Sequence, residues 1–130
     1  MSDAVTLPAY AQALGISVHD VEDGLPILTV DFSADVEGRP GHYHGGAIAG
    51  LLENAAYAAL RSVLAAEGLE AKLKPVNITV QYLSAGKPLT SFAKARITRK
   101  GRRNANISVE AWQADRSKPI ASAVMSILMA

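Results

Sequence analysis

At 130 residues, with 49% hydrophobic and 19% charged content, the chain has the size and composition of one globular domain around one core, which excludes a disordered or fibrous protein. The absence of cysteine excludes a disulfide framework, a thiolate zinc site and a cysteine nucleophile, so any reactive group is an oxygen or an imidazole. The net charge of +1 hides an asymmetry: residues 1–60 carry eight acids and one base, Arg39, whereas residues 61–130 carry twelve bases and four acids.

The second half is therefore the place to look for an anion site, with solvated strand faces as the plain alternative for each base taken singly. Few aromatics and no groove-reading motif argue against nucleic acid as a partner. No apolar run reaches the length of a membrane span, and the first residues lack a basic flank with an apolar signal core, so the expectation is a cytoplasmic protein with no membrane partner.

In chain order, Leu7 to Leu14 reads as a short helix opened near Pro8 and stopped at Gly15. Ile16–Val21 and Ile27–Phe32 flank Asp23-Gly24 in the pattern of a hairpin. Ser33 to Tyr43 has loop chemistry and leads into a helix from about Gly46 to Ala66. That helix is apolar around nearly its whole circumference from Ala47 to Leu60, which predicts burial. Four runs follow, Val76–Leu83, Phe92–Arg99, Ala105–Gln113 and Ile120–Leu128, and the turn-forming residues between them suit hairpins. Two strands, one long helix and four strands predict an α+β fold in which a curved antiparallel sheet wraps one central helix, in a single domain.

Three features could carry chemistry. Glu53 interrupts the apolar helix, and a carboxylate there is costly unless it is paired or used. Burial moves a carboxyl group toward the range in which a general base works; the plain alternative is a Glu satisfied by Asn54, Tyr57 or an Arg of a neighbouring strand. His42-Tyr43-His44-Gly45-Gly46 precedes the helix, and two glycines there leave N–H groups open at the positive end of the helix dipole, where an oxyanion can be held. The alternative is an ordinary glycine-rich loop with a capping histidine. Arg99-Lys100-Gly101-Arg102-Arg103 is a basic turn suited to phosphates, or equally a solvated hairpin tip. His19 reads as structural, and Trp112 as core or pocket wall.

Gly45 and Glu53 stand about 12 Å apart along one helix at 1.5 Å per residue, too far to act on one carbonyl in one chain. Two helices antiparallel across a twofold axis bring the Glu53 of one to the helix start of the other, giving two equivalent sites per dimer.

The stretch from Gly38 to Glu53, Gly-Arg-Pro-Gly-His-Tyr-His-Gly-Gly-Ala-Ile-Ala-Gly-Leu-Leu-Glu, resembles the signature of the phenylacetate-degradation (PaaI-like) branch of hotdog-fold acyl-CoA thioesterases. There a His-Gly-Gly opens the central helix and an acid follows nine residues after the His. Asn77 to Leu83 and Gly101-Arg102-Arg103 also resemble that family's sheet, so the likeness covers nearly everything after about residue 15.

The resemblance implies a homodimer, and by preference a homotetramer, that hydrolyses an aryl or medium-chain acyl-CoA with neither cofactor nor metal. Glu53 would be general base or nucleophile, Gly45 the oxyanion donor, and His44 a group that orients substrate or steadies the thiolate. Gly46, Tyr57, Lys100, Arg102 and Arg103 would contact substrate, the last three at the CoA nucleotide, and Tyr57 and Leu60 would help to wall the acyl pocket. The chain departs from the family in carrying Gly38 where many relatives have Asn or Gln, and Pro75 where some have Ser or Thr. Arg39, His42, Asn54 and Asn77 are the candidates to position water instead. The alternatives are a hotdog hydratase or dehydratase with His44 as base, and a hotdog protein that binds acyl-CoA without turnover.

Overall fold

The computed structural model describes residues 6–130. Its elements run α1 (Ala9–Leu14), β1 (Ser17–Glu22), β2 (Leu25–Val30), α2 (Gly45–Ala66), β3 (Leu73–Tyr82), β4 (Ser91–Lys100), β5 (Asn104–Trp112) and β6 (Ala121–Met129). All six strands form one antiparallel sheet in the order β1-β2-β4-β5-β6-β3, curved around α2, the architecture expected.

Asp23 and Gly24, both at positive φ (55° and 77°), make the tight β1–β2 turn whose twist matches its strands. The β4–β5 and β5–β6 links are also hairpins. The β3–β4 link is not, contrary to expectation. Strand β3 pairs with β6 and β4 pairs with β2, so residues 83–90 cross to the far side of the sheet. Turn chemistry around Gly86 and Pro88 marks a break in the chain without choosing the next strand's neighbour.

The sheet's inner face explains how a 22-residue helix fits inside it. Ala93, Ala95, Ala105, Ala111, Ala121 and Ala123 are all buried there, and these small side chains leave room for the large residues of α2. Leu51, Leu52 and Leu60 fill that room, fully buried, each contributing roughly 1.5–3 kcal/mol by removal from water. Leu60 therefore belongs to the core and walls no pocket.

Outer-face positions are mostly polar or charged, Lys94, Arg96, Ser108, Glu110, Ser122 and Ser126 among them, with Phe92, Trp112, Val124 and Leu128 as apolar exceptions. Trp112 lies on that outer face, stacked on Phe92 with centroids 5.9 Å apart and covered by the Arg116 guanidinium at 4.4 Å. It is buried, as expected, at 8% exposure and lines a cleft on that face with Lys94, Ser108 and Arg116, while its alternation with buried Ala111 sets it outside the helix-packed core. His19 packs edge-on to Phe92.

The helix lies across β2, β4 and β5 and barely reaches β3. The inner face of β3, an edge strand, is left uncovered: Ile78 is 38% exposed and Tyr82 56%, with Val76 and Leu83 also exposed. An uncovered apolar edge is a surface that natural folds cover or pair. Among the described residues no helix is long and apolar enough to cross a membrane.

Candidate active site

The start of α2 is built by the loop before it. Glu37 and Tyr43 form an isolated antiparallel bridge. Within it, Gly38 N–H donates to the His42 carbonyl at 2.9 Å and His42 N–H to that of Arg39 at 3.0 Å. The His44 N–H reaches back to Val36 O at 2.7 Å, which fixes the helix entry. Tyr43 anchors the same turn, its hydroxyl 2.7 Å from the Leu89 carbonyl and 3.1 Å from that of Val30. Burial raises the pKa of Tyr43, so the hydroxyl stays a donor.

His44 is the N-cap, and its Nδ1 accepts from Gly46 N–H at 2.8 Å. An accepting Nδ1 carries no proton, so in the neutral ring the proton sits on Nε2 and a donor faces outward from an exposed side chain. Gly46 permits this fold-back, because a Cβ there would lie 3.0 Å from His44 Nδ1. The Gly45 N–H has no acceptor among the described residues, as the first orphan donors of a helix lack intrahelical partners. Its carbonyl accepts from the Tyr82 hydroxyl at 2.8 Å, which ties the end of β3 to the start of α2.

Gly38 has a structural reason. A Cβ at this position would stand 2.9 Å from His44 Cα and 3.3 Å from His44 N, both backbone atoms that cannot swing away. The loop crosses so near the helix cap that any side chain here, Asn or Gln included, requires the loop or the cap to shift. Gly38→Ala is expected to destabilise the fold by about 1–3 kcal/mol, the range for overpacking, as measured by urea unfolding. An unchanged unfolding midpoint would show that the cap adjusts freely.

Glu53 corrects one expectation. It is half-buried, on a stripe with Ala49 and Tyr57 that faces away from the sheet's centre, while its neighbours Leu52 and Asn54 are buried. Among the described residues its carboxylate has no hydrogen bond or ion pair. The partners that could have satisfied it are engaged elsewhere: Asn54 Nδ2 donates to Gly50 O at 2.8 Å, and the Arg61 guanidinium lies 5.3 Å over the Tyr57 ring. The pKa of Tyr57 is raised, first by desolvation and next by the Glu53 charge, which puts the two side chains along one face.

A cleft of about 370 Å³ opens at the helix start, lined by Arg39, His42, Gly45, Ile48, Tyr82 and Leu83 among others. It brings His42 and Gly45 together. His44 and Gly46 sit at its edge on the exposed cap, and Asn54 is buried inside α2. Asn77 lies elsewhere, on the outer face of β3 beside Ser126 and Asn106. Tyr82 is a residue that sequence reasoning did not single out; its place at the end of a strand carries no signal of a 2.8 Å contact with Gly45.

The basic turn stands at the opposite end of α2. Lys100 Nζ is 3.2 Å from Glu67 Oε1 at the helix C-cap, so this lysine already has a partner. Arg102 and Arg103 are exposed. A larger cleft, of about 580 Å³, lies at that same end, lined by Arg61, Leu64, Leu69, Glu70 and Lys72.

The family described as "acyl-CoA thioesterase N-terminal domain" matches residues 34–128. Among solved structures, a protein from Chromobacterium violaceum is 36% identical over 93% of this chain and 82% of its own, with a TM-score of 0.74. The PaaI protein of the Escherichia coli phenylacetic acid degradation operon is 24% identical over 92% of this chain and 87% of its own, with a TM-score of 0.76. A hypothetical thioesterase protein from Streptococcus pneumoniae, solved with coenzyme A, is 16% identical over 88% of this chain and 87% of its own, at a TM-score of 0.74. These last two share the fold. No curated protein matches the chain.

Proposed function

Because the chain belongs to the acyl-CoA thioesterase family of the hotdog fold, we propose that it hydrolyses acyl-CoA thioesters at sites shared by two subunits. The observation that carries this reading is a pair of unspent groups on α2. They are the Glu53 carboxylate on the uncovered stripe and the Gly45 N–H at the helix start, about 12 Å apart along the axis.

A twofold axis resolves the distance. If Glu53 lies level with the partner subunit's Gly45, the axis passes halfway between these positions, at Ala49. A small side chain there lets two helices approach closely. The uncovered inner face of β3 supports the same pairing, since a second copy would bury Ile78 and Tyr82 and pair the open edge. Such a dimer already contains two whole sites, and association of dimers into a tetramer adds no group that the chemistry needs.

In the reaction, the Gly45 N–H holds the thioester carbonyl oxygen and Glu53 takes a proton from a water that attacks the carbonyl carbon. The tetrahedral oxyanion then collapses, the C–S bond breaks, and the CoA thiolate recovers the proton from the Glu53 carboxyl group. The products are a carboxylic acid and free CoA. The Nε2–H of His44, left outward by the Nδ1 contact with Gly46, steadies the thiolate in this reading. A thiolate is a good leaving group, which fits a site with so few ionisable side chains.

The carboxylate stands where water has access, which supports its role as general base over direct attack. A single turnover in heavy-oxygen water tests direct attack: an unlabelled first acid, its new oxygen taken from Glu53 and the label left in the Glu53 carboxylate, would establish an anhydride opened at the Glu53 carbonyl and overturn the general base.

The assay is release of free thiol from a panel of acyl-CoAs. An absorbance change of an enoyl ester without thiol release would assign a hydratase, and tight binding without turnover a sensor. For the nucleotide end, replacing Arg102 and Arg103 together with alanine is expected to raise KM for CoA esters about tenfold, the scale of losing one charge-assisted contact. Esters of truncated thiols that lack phosphates will be nearly unaffected. An equal effect on both would remove the phosphate role.

A further inference from the structure

On the reading proposed above, catalysis depends on where the Gly45 N–H points, and Gly45 and Gly46 together open the first turn of α2. Two glycines in succession leave that turn free to adopt conformations closed to other residues. We propose that Tyr82, which takes no part in the bond chemistry, is the positioning residue that aims this donor. Its hydroxyl, 2.8 Å from the Gly45 carbonyl, holds the glycine pair against the end of β3.

The peptide unit between Gly45 and Gly46 is clamped at both of its polar atoms. Its N–H donates to His44 Nδ1 at 2.8 Å, and its carbonyl accepts from the Tyr82 hydroxyl at the same distance. A helix end without such partners frays. With this plane held, little rotation is left to Gly45, and its N–H on the other side keeps one direction. The two bonds also form one chain, from Tyr82 O–H through the peptide unit to the His44 ring, and bonds linked in this way polarise one another. The phenol therefore steadies both groups that face the thioester, the Gly45 N–H and the imidazole. Its own anchor is firm: Tyr82 pairs with Ala121 in the sheet, and the N–H groups of Leu83 and Ser84 donate to Ile120 O at 2.8 and 3.1 Å.

Nothing else in the fold uses this hydroxyl. Tyr82 is 56% exposed and stands outside the hydrophobic core. It belongs to the inner face of β3 that a second copy covers in the proposed dimer. Assembly removes water from the Tyr82–Gly45 bond, and a hydrogen bond strengthens as its surroundings become less polar. Dimerisation thus tightens the aim of the donor as it brings Glu53 of the partner subunit within reach.

Tyr82→Phe in the full-length protein removes the hydroxyl and keeps the ring. It is expected to lower kcat for thiol release about tenfold, less than the roughly 10²–10³ of losing the donor itself, and to change KM less than about twofold. The order parameter of the Gly45 N–H bond, read by nitrogen relaxation, is expected to fall from about 0.85, the value of rigid backbone, toward about 0.6, while the urea unfolding midpoint stays in place. Gly45→Ala supplies the second leg. Alanine has fewer conformations open to it than glycine, so a chain carrying it depends less on the tether, and the added Cβ meets the Tyr82 ring at an ordinary 3.5 Å. With each variant measured alone and both together, the tenfold factor for Tyr82→Phe is expected to shrink to about twofold beside Gly45→Ala. An equal factor in both backgrounds, an unchanged kcat or order parameter, or a loss of kcat accompanied by a lower unfolding midpoint overturns the positioning role and leaves the proposed function standing. Absence of thiol release from the wild type overturns the function instead; the order parameter needs no turnover and still decides whether Tyr82 holds the donor.

Discussion

Replacing Glu53 with Gln is expected to lower kcat for thiol release by a factor of roughly 10² to 10⁴, the range supplied by a positioned general base. The amide keeps the size and shape of the side chain and removes only its capacity to accept a proton from water. Because the carboxylate makes no hydrogen bond or ion pair among the described residues, the substitution breaks no structural contact. Its effect on unfolding free energy is expected to stay within about 0.5 kcal/mol, the usual range for surface changes. Loss of activity with an unchanged unfolding curve is the signature of a catalytic group. Full activity in Glu53→Gln would end the mechanism; lost activity with lost stability would return Glu53 to a structural role.

The sequence makes some of this legible and hides the rest for identifiable reasons. Alternation and β-branched runs locate all six strands to within about three residues, because a sheet with one wet face must alternate. The long helix is equally plain, since both its caps and its hydropathy point the same way. Strand order is not legible: nothing between Tyr82 and Ser91 says that β3 joins β6 and β4 joins β2, which is a consequence of how the whole sheet closes.

The same limit applies to Glu53 and Asn54. They are adjacent in a uniformly apolar run, and only the direction of the sheet decides that Asn54 is buried while Glu53 stands on the open stripe. Gly38 looked like a lost polar residue when compared with the family's pattern. It is a position where two backbone segments touch, and a one-dimensional reading has no term for contact across six residues of loop.

Gly45→Pro gives the second large effect and, combined with the first, decides whether the site is shared. Proline removes the N–H that would hold the oxyanion while leaving the helix intact. The first helical turn tolerates proline, and His44 before it is already extended at φ −66°, ψ 136°. A side chain at 45 meets the Tyr82 ring at 3.5 Å, an ordinary contact. Losing one such donor is expected to cost about 10²–10³ in kcat with the fold preserved.

Neither variant is active alone, yet their mixture is expected to recover activity. Unfolded together and refolded in equal amounts, half of the dimers carry one subunit of each kind. In each of these, one of the two sites joins the intact Glu53 of the Gly45→Pro subunit to the intact Gly45 N–H of its Glu53→Gln partner. The mixture therefore regains about a quarter of wild-type activity if two equivalent sites lie across a twofold axis. A site contained within one chain gives no recovery at any mixing ratio, because every chain then lacks one of its two groups. Failure to recover, in dimers shown by mass to be mixed, would overturn the shared site while leaving both residues catalytic.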